Sequence, residues 1–218
     1  MLVALATILA AYLIGAVPFA LIVARLNGIP DIRTVGSGNV GATNVLRLLG
    51  PRVAVWVFVL DLAKGVLPVL AARWIAAGVI PLNHDVFLSL VAVASILGHV
   101  FPVYIGFRGG KGVLTALGAL LVLMPLPVTA CVAVFLVVTV LFRYISLGSI
   151  LAALCLPIFL VLHQFALGHT VPATNWVLGA LIAVLVPMTH LQNIRRLLTG
   201  TENRFSLGSA GSRGGTHG

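Results

Sequence analysis

The sequence predicts an all-α, polytopic membrane protein with seven transmembrane helices. Hydrophobic residues make up 61% of the 218 residues, charged residues make up only 8%, and the mean hydropathy is +1.19. A soluble domain is about 45–50% apolar and about 25% charged. Because no soluble core of this size could bury so much apolar surface, the composition excludes an ordinary soluble enzyme, a disordered chain and a disulfide scaffold.

The apolar residues fall into separate runs, divided by prolines, charges and polar clusters. A membrane-spanning helix needs about 20 residues, so seven spans use roughly 140 and leave only loops and tails. The first run has no basic residues before it and no Ala-x-Ala-like site after it, which predicts a retained span rather than a signal peptide. The seven runs are 2–24, 53–73, 86–104, 113–124, 128–142, 147–165 and 176–191.

The fourth and fifth runs are open to two interpretations. The break from Pro125 to Pro127 predicts two short spans, whereas one long tilted helix would reverse the orientation of everything after it. The positive-inside rule favours seven spans, with the N-terminus outside and the C-terminus in the cytoplasm. Only Arg73 then lies outside, and the cytoplasmic side holds Arg25, Arg33, Arg47, Arg52, Arg108, Lys111, Arg143, Arg195, Arg196, Arg204 and Arg213.

The rest of the organisation is simple. Residues 1–205 are expected to form a single transmembrane domain, and the Gly/Ser-rich residues 206–218 a flexible tail. Cys131 and Cys155 lie inside apolar runs without a CxxC spacing, so we interpret them as packing residues.

The first polar cluster covers residues 35–47. Residues 36–41 spell GxGxxG, but no strand precedes them and Asp61 lies within an apolar run, so a dinucleotide fold is excluded. Two interpretations remain: a glycine-rich turn between helices, or a phosphate cradle built from backbone N–H groups and polar side chains. The candidate phosphate ligands here are Ser37, Asn39, Asn44 and Arg47.

The second polar cluster covers residues 98–112. Ile105 and Gly112 stand where a nucleotide-binding P-loop needs Gly and Ser or Thr. Gly109, Gly110 and Gly112 around Lys111 predict an anion-binding nest with a mobile ammonium group. Alternatively, Lys111 extends its charged end to the membrane interface without binding a ligand. For His99, the alternative to a catalytic base is a histidine that forms a hydrogen bond at the end of a helix.

Two further clusters lie near the C-terminus. Ser146 follows Arg143, which could be a topological anchor, and the Ser146 hydroxyl could bond back to its own helix. If the seventh span continues as a helix, His190, Asn193 and Arg196 lie on nearly one face.

Acidic residues are scarce near these clusters. Asp61 and Lys64 are three positions apart inside a run, which favours a structural ion pair over a place in a substrate pocket. Only Asp31 and Glu202 accompany the other clusters. Since Mg²⁺ chemistry needs acidic oxygen ligands, we expect a metal-free site that holds phosphate by charge and hydrogen bonding.

Four motifs occur in a fixed order: GSGNVGATN with Arg47, GHVFPVYIGFRGGKG, RYISLGS, and HLQNIRRLLTGTENRF. Across residues 1–205 the chain closely resembles the acyl-phosphate:glycerol-3-phosphate acyltransferase family of bacterial inner membranes. Arg204 stands where the family has lysine, a change that preserves the charge.

The resemblance implies transfer of a fatty acyl group from acyl phosphate to the 1-hydroxyl of glycerol 3-phosphate, giving lysophosphatidic acid and phosphate. The resemblance implies that the protein needs no cofactor and binds no nucleic acid. It also implies that the protein contacts membrane lipid and receives acyl phosphate from the soluble enzyme that makes it. The implied catalytic residues are Ser37, Lys111 and His190. By analogy Ser37, Asn39, Asn44, Arg47, Lys111, Ser146, His190 and Asn193 bind the substrates, and Gly109, Gly110 and Gly112 border the acyl-phosphate site.

The residue types agree with that chemistry. Acyl phosphate is already activated, so no enzyme nucleophile is needed, and cationic groups can bring two anions together. The proton could pass to His190 or to a phosphate oxygen. No histidine has Asp five positions later, which disfavours the HxxxxD acyltransferases. A transporter of a phosphorylated solute and a lipid-binding scaffold are the alternatives.

Overall fold

The protein is all-helical over the residues that its computed structural model describes, 1–79 and 82–205. The predicted tail, 206–218, lies outside these residues. Short 3₁₀ turns occur at Ile32–Thr34 and Val103–Ile105, and a π turn at Leu162–Ala166. The helices are α1 Leu2–Gly15, α2 Phe19–Leu26, α3 Ala42–Leu49, α4 Pro51–Val79, α5 His84–Val100, α6 Val113–Leu123, α7 Pro125–Phe142, α8 Ile145–Val161, α9 Ala173–Thr189 and α10 Leu191–Leu198.

The apolar helices make this a multi-pass membrane protein. Five segments within the described residues are long and apolar enough to span a bilayer, and α9 with α10 would make a sixth if that bent pair is one span. Helix α6 has 11 residues, or about 16 Å of helix, against a hydrocarbon layer of about 30 Å. The five long segments are Leu2–Leu26, Pro51–Ala76, His84–Ile105, Pro125–Phe142 and Ile145–Ala166.

The first apolar run is a broken helix. Helix α1 ends at Gly15 and α2 begins after Pro18, because proline has no N–H to continue the helical hydrogen bonds. The carbonyl of Val17 accepts a hydrogen bond of 2.9 Å from Lys64 Nζ. A buried lysine on α4 therefore satisfies the backbone at this break, as the bilayer interior requires.

The fourth and fifth runs form two helices rather than one long helix. Helix α6 ends at Leu123 and α7 begins at Pro125, a favourable position for proline. Arg73 Nη2 donates to Val122 O over 2.8 Å at one end of the bundle. At the opposite end, Arg143 Nε donates to Phe205 O over 3.1 Å. The chain therefore reverses direction at Met124, as the proline break predicts.

The seventh run ends at a bend, so the continuous helix on which His190, Asn193 and Arg196 would share one face does not form. Helix α9 ends at Thr189, His190 has φ −106° and ψ 11°, and α10 departs at 61°. The polar residues that begin at Gln192 cannot follow the apolar run into hydrocarbon, so the chain bends where the apolar residues end.

Glycines bring the central helices into close contact. A Cβ on Gly65 of α4 would lie 2.1 Å from Thr115 O of α6, and one on Gly118 would lie 2.3 Å from Leu62 O. Small residues of this kind let membrane helices approach closely. The contact places the Thr115 hydroxyl 3.1 Å from Asp61 O, to which it donates. It thereby fixes the start of α6 against the middle of α4.

Candidate active site

The polar clusters meet in one cleft of about 720 Å³, a size typical of small-molecule sites. We call the end of the bundle that holds it the cleft end. The 36–41 loop, the 109–112 segment, the start of α8 and the α9–α10 junction form its walls. All of the predicted site residues except Asn44 line it: Ser37, Asn39, Arg47, Gly109, Gly110, Lys111, Gly112, Ser146, His190 and Asn193.

Lys111 is held across the cleft by the C-terminal motif. Its ammonium group donates to Asn193 Oδ1, a contact between residues 82 positions apart. Burial lowers the pKa of Lys111 to about 8, although the negative charge of Glu202 opposes the shift. At neutral pH the side chain is therefore a cation in a poorly solvated place, where its charge acts strongly on a bound anion.

Glu202 is a site residue that the sequence analysis missed. Its carboxylate accepts hydrogen bonds from Ser146 Oγ (2.8 Å), Asn193 Nδ2 (2.7 Å) and Arg196 Nε (2.8 Å). Burial raises the pKa of Glu202, but these three hydrogen bonds outweigh it and hold the pKa below its ordinary value. The ionised carboxylate therefore orients three neighbours at once. Its signal in the sequence was its position as the single acid within the last motif.

Ser146 and Ser149 have different roles. The Ser149 hydroxyl bonds back to Ile145 O over 2.9 Å, as is common for serine within a helix. The Ser146 hydroxyl instead bonds to Glu202, so Ser146 belongs to the polar cluster of the cleft.

His190 lies at the bend between α9 and α10 and is 2% exposed. Its Nδ1 is 2.8 Å from Val186 O. A carbonyl oxygen can only accept, so Nδ1 carries the hydrogen and Nε2 of the neutral ring keeps a lone pair. This tautomer leaves Nε2 able to take up a proton.

Asn44 holds the first loop from behind rather than facing the cleft, which corrects its prediction as a substrate ligand. The side chain is fully buried. Its Oδ1 accepts from the backbone N–H of Ser37 over 3.0 Å, and its Nδ2 donates to Ile32 O and Val35 O over 3.2 Å each. Asn44 therefore positions Ser37, and the N–H group of Ser37 is already bonded.

The glycine segment also departs from the predicted anion nest. The N–H of Gly109 donates to Val100 O over 3.2 Å, and that of Gly110 to His99 O over 3.1 Å. A Cβ on Gly109 would lie 2.1 Å from His99 O, and one on Gly110 would lie 2.2 Å from His99 Nε2. These two glycines are needed for close packing on His99, and their N–H groups are not free for a ligand.

Positive charge converges on the cleft from three elements. Arg47 on α3, Lys111 and Arg196 on α10 all line it. Burial lowers the pKa of Arg47, and its interactions with Glu202 and Arg196 place these groups in one electrostatic neighbourhood. Three cations against Glu202 and Asp61, the latter paired with Lys64, leave an excess of positive charge, which suits an anionic ligand.

Asp61 and Lys64 form the expected ion pair, with Lys64 Nζ 2.8 Å from Asp61 Oδ1. Asp61 also lies at the floor of the cleft. Among residues 1–79 and 82–205, no group of three or more His, Cys, Asp or Glu side chains could hold a metal ion.

The fold and the cleft define a multi-pass membrane protein with a cleft lined by cationic side chains at one end of its helices. The sequence pattern of the glycerol-3-phosphate acyltransferases matches residues 5–200. The chain therefore belongs to the glycerol-3-phosphate acyltransferase family.

Individual relatives agree with this membership. The glycerol-3-phosphate acyltransferase of Geobacter sulfurreducens is 43% identical over 198 residues, covering 89% of this chain and 94% of the relative. That of Syntrophotalea carbinolica is 46% identical over 198 residues, covering 91% and 95%.

Solved structures of one relative have the same fold. Crystal structures of PlsY (YgiH), an integral membrane glycerol 3-phosphate acyltransferase, superpose with TM-scores of 0.82 for the glycerol 3-phosphate form and 0.79 for the lysophosphatidic acid form. The sequence identities are 40% and 39%. The match covers 93% and 94% of this chain, and 96% of the crystallised chain in both.

Proposed function

We propose that the protein transfers a fatty acyl group from acyl phosphate to the 1-hydroxyl of glycerol 3-phosphate. The products are lysophosphatidic acid and inorganic phosphate, in the first acylation step of phospholipid synthesis. The observation that carries the proposal is the convergence of Arg47, Lys111 and Arg196 in one cleft. Relatives named as glycerol-3-phosphate acyltransferases support the choice of acceptor.

The cleft suits two anionic substrates that must meet despite their mutual repulsion. Arg47, Lys111 and Arg196 offset the charge of the two phosphates, and Ser37, Asn39 and Asn193 offer neutral polar groups. Holding both reactants in one geometry converts a bimolecular step into an effectively unimolecular one. The same cations stabilise the oxyanion that forms at the acyl carbon.

The reaction needs no enzyme nucleophile because acyl phosphate is a mixed anhydride. The 1-hydroxyl oxygen forms a bond to the acyl carbon, the bond from that carbon to the phosphate oxygen breaks, and its electron pair leaves with phosphate. The hydroxyl proton passes to His190 Nε2 or to a phosphate oxygen. Near-wild-type turnover of His190→Gln would eliminate the first route, and a large loss would support it.

One wall of the cleft is apolar and suits a fatty chain. Phe58 of α4, Leu114 of α6 and Phe135 of α7 line it beside the polar groups. An acyl chain on this wall would lie between helices that already face lipid, with its activated end toward Lys111.

We place this site in the bacterial inner membrane, within one acyltransferase domain over residues 1–205. The proposed topology has seven spans, counting α6 and α9, with the N-terminus outside and the C-terminus in the cytoplasm. The loops of the cleft end carry nearly all the basic residues, which favours a cytoplasmic cleft. A cleft on that side is accessible to a soluble enzyme that delivers acyl phosphate. Labelling of single cysteines at positions 37 and 111 from opposite sides of the membrane would contradict this topology.

The deciding experiment measures phosphate release from palmitoyl phosphate by purified protein in detergent. We expect release that depends on glycerol 3-phosphate, with matching formation of lysophosphatidic acid and no effect of chelator. A transporter would show no acyl transfer, because detergent leaves no second compartment into which it could move a solute. A lipid-binding scaffold would show none because it catalyses no reaction. Loss of activity with chelator would contradict the metal-free mechanism.

A further inference from the structure

A buried charged cluster lies below the cleft, and the proposed mechanism does not use it. It consists of Asp61 and Lys64 on α4 and His99 at the end of α5. The Lys64–Asp61 contact measures 2.8 Å between side chains that are 3% and 2% exposed. His99 Nδ1 lies 3.7 Å from the same carboxylate oxygen, Asp61 Oδ1. Charges within a membrane domain are costly, so their retention calls for a role.

The cluster touches the segment that carries Lys111. Asp61 and His99 line the floor of the cleft, and both border a small cavity of about 10 Å³ together with Gly109 and Gly110. The Gly110 N–H donates to His99 O. A Cβ on Gly110 would lie 2.2 Å from His99 Nε2, so the ring packs directly on this glycine. A change in the position of His99 therefore changes the backbone one residue before Lys111.

The ion pair is itself tied to several helices. Lys64 Nζ donates to Val17 O at the α1–α2 break over 2.9 Å. The Ser95 hydroxyl of α5 donates to Lys64 O over 2.6 Å, and the Thr115 hydroxyl of α6 donates to Asp61 O over 3.1 Å. The pair thus has a fixed place relative to the start of α6, which follows Lys111 directly.

We propose that the Asp61–Lys64 ion pair positions His99, and through His99 the glycine segment, so that Lys111 is held at the place where it meets substrate. Asp61, Lys64 and His99 are positioning residues in this scheme, and Lys111 makes the contact with substrate. The inference rests on the proposed acyltransferase function.

The test uses a double variant, Asp61→Asn with Lys64→Met, which removes both charges and nearly preserves side-chain volume. Each single variant leaves one charge buried and unpaired, which is strongly destabilising, whereas removing both is often neutral. We expect the double variant to stay folded in detergent, with a thermal midpoint lowered somewhat by loss of the hydrogen bond from Lys64 to Val17 O, while kcat falls about 10- to 100-fold, as a misplacement near 1 Å can produce. The alkaline limb of its pH profile should also move, because the surroundings of Lys111 change. A folded double variant with wild-type kcat would overturn the inference.

A second variant decides the matter if the double variant does not fold. His99→Asn keeps a polar group where Nδ1 lies 3.7 Å from Asp61 Oδ1 but removes the ring edge that packs on Gly110. A similar fall in kcat with an unchanged midpoint supports the inference, and unchanged kcat overturns it. Thr129→Ala is the control: it removes a hydrogen bond to Pro125 O at the start of α7, away from the charged cluster, so we expect unchanged kcat.

The wild-type protein separates this inference from the proposed function. If the wild-type protein shows no acyl transfer, both are wrong. If it transfers acyl groups and the folded double variant is fully active, only the positioning role is wrong.

Discussion

The two ends of the helical bundle are held together in different ways. At the cleft end, side chains far apart in sequence bond to each other, as Lys111 does to Asn193 and Ser146 to Glu202. At the opposite end, the contacts are mostly local: Asn83 Oδ1 caps α5 by accepting from the N–H groups of Asp85 (3.0 Å) and Val86 (3.3 Å). The Arg73 contact with Val122 O is a long-range exception there. The same helices therefore carry a cooperative polar network at one end and ordinary helix caps at the other.

The largest effect is expected for Lys111→Ala at the cleft end. It removes the cation that contacts Asn193, and loss of one such electrostatic group typically costs about 10²- to 10³-fold in kcat. Lysophosphatidic acid formation from palmitoyl phosphate measures it. Lys111→Arg, which keeps the charge, is the control and should retain more activity than the alanine variant. If Lys111→Ala kept more than half of wild-type turnover, the Lys111 ammonium group would not be needed for catalysis.

Glu202→Gln should have the next largest effect. Glutamine keeps the shape of the side chain but removes the charge that binds Arg196, Asn193 and Ser146. A loss of about 1.4 kcal/mol of positioning corresponds to a tenfold fall in kcat/KM. The matched control is Asp31→Asn, because Asp31 pairs with Arg33 at the surface; we expect kcat/KM to stay within about twofold, since surface pairs contribute little. If Glu202→Gln and Asp31→Asn lowered kcat/KM equally, the hydrogen bonds of Glu202 in the cleft would matter no more than a surface ion pair.

The pH dependence should follow from the protonation of Lys111. Because its pKa is lowered to about 8 in the free protein, the ammonium form is complete below that pH and is lost above it. We therefore expect kcat/KM to fall to half near pH 8 and to continue falling as pH rises. In Lys111→Arg this alkaline limb should disappear, since guanidinium stays protonated. A wild-type profile that is flat to pH 10 would contradict the assignment.

Arg73→Ala, at the opposite end, should have the smallest effect. It removes one hydrogen bond to Val122 O, worth about 0.5–1.5 kcal/mol, and we expect a slightly lower thermal midpoint with unchanged kcat and KM. A large loss of turnover would show that the far end takes part in the site.

Features set by local pattern were predicted from the sequence. The apolar runs are helical because hydropathy over about 20 residues reflects the solvent of each segment. The turn at Pro125 also follows from neighbouring residues. The motifs identified the candidate site residues, and nearly all of these residues line one cleft.

Features set by distant partners were not predicted. In the sequence Glu202 is an isolated acidic residue, and it meets Ser146 only in the folded protein. Asn44 and the N–H groups of Gly109 and Gly110 look available in sequence, but the fold bonds them to Ile32, Val100 and His99. The bend at His190 depends on where α9 leaves the apolar layer. Each of these outcomes depends on which groups already have partners, which spacing along the chain does not reveal.

The short length of α6 has a consequence for how product leaves. One end of α6 lies beside Arg73 at the far side of the bundle, and its 11 residues rise only about 16 Å from there. A hydrocarbon layer is about 30 Å thick, so in the proposed topology the other end of α6, next to Lys111, stops short of the opposite face and the cleft takes up the remaining thickness. If the proposed acylation takes place there, the ester forms with its chain beside the lipid tails, and we expect its release to be a sideways step within one leaflet.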